Sequence, residues 1–160
     1  MDWLLALALT VTPALRADLP YRSAETCPIT QAPVLPFVPP APYPIEPPGG
    51  FWHGTAALWT MLDPAVQWQV GRATQLTQKV FWWYPGFNGA RESSPAFTLT
   101  VRRLDSGRSK VLSRKATNAS HASFGGSTIL TGVKMPSAGC WEVTGEYRGN
   151  SLSFVVWVDS

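Results

Sequence analysis

Along residues 97–102 apolar and polar side chains alternate one for one, Phe97, Leu99 and Val101 against Thr98, Thr100 and Arg102. A period of two sends successive side chains to opposite faces, so this run predicts a strand with one buried and one wetted side. The same period recurs near the C-terminus. Trp141, Val143 and Tyr147 fall on one side of a run over 140–147, as Leu152, Phe154, Val156 and Val158 do in a run over 151–158. With the turn Arg148-Gly149-Asn150 between them, the two runs predict a hairpin whose apolar sides meet the core. Parity then turns Cys140, Glu142, Thr144 and Glu146 outward, together with Val155 and Trp157.

Further strands are predicted over 56–62 and 79–84, both aromatic-rich and closed by Asp63-Pro64 and Pro85-Gly86. Another is expected over 110–114, after the turn Asp105-Ser106-Gly107, and one over 128–135, after a polar loop at 116–127. Short strands at roughly ten-residue spacing, with no helical period between them, predict an all-β fold. The expected architecture over 51–160 is an immunoglobulin-like antiparallel β-sandwich, with a small closed barrel as the alternative.

Residues 18–50 read differently. From Cys27 to Gly50 a proline falls every two or three positions. Each removes a backbone donor and fixes φ, which excludes a helix or a central strand and predicts an extended arm. Val34, Leu35, Phe37, Val38, Tyr43 and Ile45 make it too apolar for a purely solvated linker, so part of it should lie against the domain. Ahead of it, residues 1–17 hold an apolar run from Trp3 to Val11 followed by small residues. That length fits a signal-peptide core cleaved after Ala14 or Ala17 and is too short to span a bilayer, although Asp2 replaces the usual basic lead. Cys27 follows Ala-Glu-Thr and not a lipid-attachment pattern.

A chain of 160 residues suits one domain. The charged fraction, 14 %, is low and the net charge is +3. Apart from a modest cluster at Arg102, Arg103, Arg108, Lys110, Arg114 and Lys115, the cations are scattered, and a nucleic-acid partner is not expected.

The chemical inventory is thin. His53 and His121 stand in Gly- or Ser-rich surroundings, no His, Cys or carboxylate residues fall at metal-ligand spacing, and no nucleophile elbow or phosphate loop occurs. Asp63 and Asp105 supply carboxylates for a serine-hydrolase set only in the sense that most sequences do. No catalytic residue, metal or cofactor is expected. The aromatics are the better lead. Trp52, Trp59, Trp68, Trp82, Trp83 and Tyr84 crowd the first half of the domain, and on a strand Trp82 and Trp83 must project to opposite faces. Trp59, Trp82 and Trp83 are candidate ligand-binding residues if exposed, flat surfaces for stacking on sugar rings. The favoured reading has the tryptophans filling the sandwich and packing beneath the arm.

An exported chain with two cysteines most simply pairs them, so a bridge between Cys27 and Cys140 would pin the arm over Val155 and Trp157. A free, buried Cys140 is the alternative for a chain kept in the cytoplasm.

Several segments together resemble a group of uncharacterised exported bacterial proteins and lipoproteins with a single all-β domain. They are Cys27-Pro28-Ile29-Thr30, Ala57-Leu58-Trp59, Phe81-Trp82-Trp83, Arg102-Arg103-Leu104-Asp105, the block from Met135 to Gly145 that contains Gly-Cys-Trp-Glu-Val-Thr-Gly, and Leu152-Ser153-Phe154-Val155-Val156. The resemblance implies export and a paired Cys27 and Cys140, and supplies no activity. The proline density of the arm and the connection at 88–95 depart from it. The expected function is a non-enzymatic binding or structural module of the cell envelope, periplasmic or extracellular, without a membrane span in the mature chain, whose partner is an envelope protein or a polysaccharide. The competing classes are a carbohydrate-binding module, an inhibitor presenting the 86–95 loop or the arm, and a small hydrolase.

Overall fold

The computed structural model describes residues 23–43, 46–70, 78–120 and 126–160. The expected signal peptide at 1–17, Ile45 of the arm and His121 lie outside the described residues. Ten strands form two five-stranded sheets, and no helix occurs among the described residues. The first sheet runs β1 (Phe51–Thr55), β2 (Leu58–Leu62), β4 (Gln78–Trp83), β8 (Ser127–Val133), β7 (Thr117–Ser120). The second runs β3 (Trp68–Gln69), β10 (Asn150–Asp159), β9 (Gly139–Tyr147), β5 (Thr98–Arg103), β6 (Ser109–Ser113). Every strand pairing is antiparallel except the short one between β3 and β10.

The period-two segments became strands with the expected parity. In the terminal hairpin Trp141 stands opposite Val156 and Val143 opposite Phe154, all four buried. The turn is tighter than the three residues expected, because Asn150 already pairs with Tyr147. Its two central residues, Arg148 at φ 47° and Gly149 at φ 78°, are both left-handed, as a two-residue turn that follows the strand twist requires.

Three strands went unread in the sequence. β1 and β2 form a hairpin in which Thr55 faces Leu58, so Ala56 and Ala57 are its turn and not the start of a strand. β7 lies within the expected polar loop. Its Thr-Asn-Ala-Ser sequence has no apolar alternation because it is an edge strand, fixed by its ladder to β8 from Thr117 opposite Leu130 to Ser120 opposite Ser127. β3 has two residues, too few to carry a period.

The sheets close on a core that includes Trp82, Phe97, Leu99, Val143, Phe154 and Val158, each at most 1 % exposed. The Trp82 indole donates to Thr131 Oγ1 at 2.8 Å, which satisfies the one polar atom this large ring brings inside. Gly145 makes room for it. A Cβ there would meet Phe97 at 2.5 Å and Trp82 at 2.7 Å, so the ring of Trp82 rests directly on the β9 backbone. Trp83 points the other way, into a second cluster with Trp52 and Trp59 on the outer side of the first sheet.

Candidate functional site

Of the expected site residues, Cys27, Cys140, Trp59 and Trp83 meet the proline-rich segment, and Trp82 does not. Cys27 and Cys140 form a disulfide with their Cα atoms 5.6 Å apart. Cys140 points away from the inter-sheet core, as parity on β9 requires, yet it is fully buried because the bridge and the incoming chain cover it. Three residues on, the chain docks against the exposed side of β10. The Thr30 N–H donates to the Val155 carbonyl at 3.0 Å, and the Val155 N–H donates to Thr30 Oγ1 at 2.8 Å. Val155 and Trp157 are half-buried.

The chain then passes to the first sheet. Val34 and Leu35 stand almost fully exposed, while Phe37 and Tyr43 turn down onto the tryptophan cluster. Tyr43 meets three indoles edge-on, Trp59 at 5.5 Å and Trp52 and Trp83 at 6.3 Å between ring centres, and Trp52 meets Trp83 edge-on at 5.1 Å. Edge-to-face contacts set the positive ring rim against the negative face of a neighbour. Burial raises the Tyr43 phenol above its usual pKa.

Sugar stacking needs exposed ring faces, and the three candidate tryptophans have none. Trp59, Trp82 and Trp83 are 1, 0 and 1 % exposed. Trp82 belongs to the inter-sheet core, and the other two lie beneath Phe37 and Tyr43. The Trp59 indole N–H is buried without an acceptor among the described residues. These side chains pack; they do not form a platform.

A second aromatic group begins at Tyr84, directly after Trp83 at the end of β4, and holds the 88–95 connection. Tyr147 packs edge-on against Tyr84 at 5.0 Å, and its hydroxyl donates to Glu92 Oε2 at 2.6 Å. Arg148 reaches the same carboxylate oxygen at 2.9 Å, with its guanidinium over both tyrosine rings. Burial first, and then the hydrogen bond to Glu92, push the Tyr147 phenol up to about 12. The segment is laced further by the N–H of Asn118 to Ser93, the Asn118 amide to Gly89 and the N–H of Ala116 to Pro95. These bonds hold the segment while Asn88, Ala90, Arg91, Ser93 and Ser94 stay exposed.

The remaining chemistry is quiet. His53 Nε2 lies 2.8 Å from the Ser153 carbonyl, which can only accept, so that nitrogen carries a proton and the ring joins β1 to β10. Asp63 accepts from the Ala65 N–H at 2.8 Å, and Asp105 accepts from Arg103 at 2.7 Å. Among the described residues no three His, Cys, Asp or Glu groups gather as a metal site would require. One cleft is well formed. The β2–β4 ladder stops after two pairs, where the Thr60 hydroxyl takes the Phe81 carbonyl at 2.7 Å, and the strands diverge. The opening, about 330 Å³, has walls from Phe51, Leu62, Trp68, Val80 and Val156 and a rim of Asp63, Lys79 and Asp159. No His or Cys lines it among the described residues.

The basic cluster is divided by the fold. Arg102 pairs with Glu142 at 3.0 Å, and Arg103 pairs with Asp105 while resting over Trp141. Arg108, Lys110, Arg114 and Lys115 lie along and beside edge strand β6, all exposed and none in an ion pair among the described residues. The cysteines, the outward parity of Cys140 and the opposed Trp82 and Trp83 were readable in the sequence. The Glu92–Tyr147–Arg148 group was not, because its members lie 55 and 56 positions apart with no pattern linking them. Comparison with known proteins finds no matching family model, no similar curated protein and no similar solved structure.

Proposed function

We propose that the protein is a non-enzymatic module exported from the cytoplasm, an immunoglobulin-like β-sandwich of the cell envelope that binds or scaffolds. The observation that carries this reading is the bridge between Cys27 and Cys140. It fastens an otherwise irregular proline-rich segment over the second sheet, and such a structural disulfide persists where thiols are not kept reduced. The apolar run at Trp3 to Val11 and the resemblance of the Gly-Cys-Trp-Glu-Val-Thr-Gly block to exported bacterial proteins support the same compartment. Among the described residues a binding role is favoured over hydrolysis, because His53 spends its Nε2–H on a backbone carbonyl, and the carboxylates Asp63 and Asp105 are engaged by their own turns. A sugar platform built from tryptophans is disfavoured by their burial.

The test is to express the full chain in a bacterium, separate cytoplasmic from exported material, and alkylate thiols before and after reduction. The expected product is exported, has lost the leader, and shows two thiols only after reduction. A cytoplasmic chain of full length with both thiols labelled from the start would overturn the reading.

A further inference from the structure

Charge in this molecule is distributed less evenly than its net value suggests. Residues 102–115 carry six Arg or Lys and one Asp, a net of +5. The rest of the chain carries seven Arg or Lys and nine Asp or Glu, a net of −2, and 5 − 2 returns the overall +3. The fold then neutralises Arg102 with Glu142, as it does Arg103 with Asp105, and leaves the other four cations on one edge. The turn that starts this edge is held firmly. The Arg103 N–H donates to the Arg108 carbonyl at 2.8 Å, the Gly107 N–H to Arg103 at 2.8 Å and the Leu104 N–H to Cys140 at 3.0 Å. Lys110 is therefore carried on an ordered strand, with Arg108, Arg114 and Lys115 flanking its two ends. At the rise of an extended chain, Arg108 to Arg114 spans about 20 Å.

Edge strands commonly carry charge to prevent edge-to-edge pairing. Lys110 meets that need alone, since it stands opposite the buried Val101 and so directs an ammonium toward the inner side of an edge. Arg108, Arg114 and Lys115 exceed it.

We propose that the β6 edge binds a linear polyanion, specifically an acidic polysaccharide. Like charges gathered along and beside one edge strand repel one another, and a polyanion relieves that repulsion while releasing its own counterions. The strip is one strand wide, which suits a chain better than a planar membrane. It has no aromatic residue between Asp105 and Ala116 on which a nucleobase could stack, and it exposes Ser109 between Arg108 and Lys110, while the hydroxyls of Ser106 and Ser113 are engaged by Arg108 and by the Lys115 backbone. The choice of a glycan over a nucleic acid also rests on the export proposed above, whereas the affinity for polyanions does not.

The experiment is a binding titration of the full chain against polygalacturonate, neutral dextran and single-stranded DNA at several salt concentrations. Two variants with the same net charge accompany it, one with Arg108→Gln, Lys110→Gln and Arg114→Gln, the other with Lys79→Gln, Arg91→Gln and Lys134→Gln. All six positions are exposed, so both variants should fold, and their thermal midpoints verify it. Binding to polygalacturonate and not to dextran is expected, weakening by about 20- to 40-fold between 50 and 200 mM salt for roughly three neutralised charges. The β6 variant should lose about tenfold in affinity and the control variant much less. Equal losses in the two variants, no binding at low salt, or tighter binding to DNA than to the glycan would each overturn the proposal. Localisation and thiol state are measured independently, so export can fail while binding succeeds, and the reverse.

Discussion

Two irregular segments close over aromatic clusters in this fold, and they are held by opposite means. Residues 28–43 roof the Trp52, Trp59 and Trp83 cluster, and residues 88–95 border Tyr84, Phe87 and Tyr147. The second segment offers the Gly89, Ser93 and Pro95 carbonyls and the Glu92 carboxylate as acceptors, which Asn118, Ala116 and Tyr147 fill, so hydrogen bonds lace it to β7 and β9. The first has proline at 28, 33, 36, 39, 40 and 42, each of which removes a backbone donor. It is secured by one covalent bond, the paired contact of Thr30 with Val155, and the apolar burial of Phe37 and Tyr43. The fastenings thus differ in kind: the proline-rich segment is held by a covalent bond and apolar anchors, and the 88–95 segment by acceptors that neighbouring strands fill.

The largest effect should come from the covalent anchor. The bridge closes a loop across 113 positions, so Cys27→Ala with Cys140→Ala should cost about 4 to 5 kcal/mol in the chain-entropy account, read from denaturant midpoints. The loss should not change with salt. If unfolding of the double variant matches that of the parent, the proline-rich segment holds without its bridge and the contrast fails. Tyr43→Ala tests the apolar anchor and should cost about 2 kcal/mol, less than a full core truncation because the ring is half-buried. Its specific sign is a red shift in tryptophan emission as water reaches Trp59 and Trp83. A blue or unchanged emission would mean the roof does not depend on Tyr43.

The polar fastening should instead depend on pH. The Tyr147 phenol, raised to about 12 in the folded chain, is near 10 when unfolded. Its contribution is therefore fully present below pH 10 and is lost as the pH rises from there toward 12. Tyr147→Phe removes a hydrogen bond to a carboxylate and should cost about 1.5 to 3 kcal/mol at neutral pH. The gap between variant and parent should shrink through that alkaline window. A gap independent of pH up to 12 would assign the cost to packing and not to the bond with Glu92.

How far each fastening could be read from the sequence follows from its range. Cysteine pairing and strand parity are simple rules, so the bridge, the outward Cys140 and the opposed Trp82 and Trp83 were legible, as was the strand character of β5, β9 and β10. The burial of tryptophans beneath the arm was the favoured reading of the sequence, but that Phe37 and Tyr43 are the residues that cover Trp59 and Trp83 was not legible, because proline fixes φ without saying where the chain goes. β7 and the Glu92–Tyr147 contact exist only because distant segments meet; no local period encodes them. The split of the basic cluster depended likewise on cross-strand neighbours, with Arg102 finding Glu142 only through the pairing of β5 with β9.

The smallest effect distinguishes the two fastenings most finely. Arg148 occupies a left-handed position at φ 47°, a conformation that Asn tolerates far better than a long side chain does. Arg148→Asn should therefore gain a few tenths of a kcal/mol in the turn. Against that, it loses an ion pair with Glu92 at 2.9 Å and the contacts of the guanidinium over Tyr84 and Tyr147. More than half of the Arg148 side chain is exposed, so the ion pair is worth less than about 1 kcal/mol and is screened by salt. The two terms nearly cancel, and ionic strength decides the sign. At low salt Arg148→Asn should be slightly less stable than the parent; in about 1 M salt, where the Debye length falls to about 3 Å, it should be equal or slightly more stable. The Cys27 and Cys140 variant should show no such crossing. A salt-independent loss at Arg148 would mean that stacking on the tyrosines, and not charge, fastens the 88–95 segment.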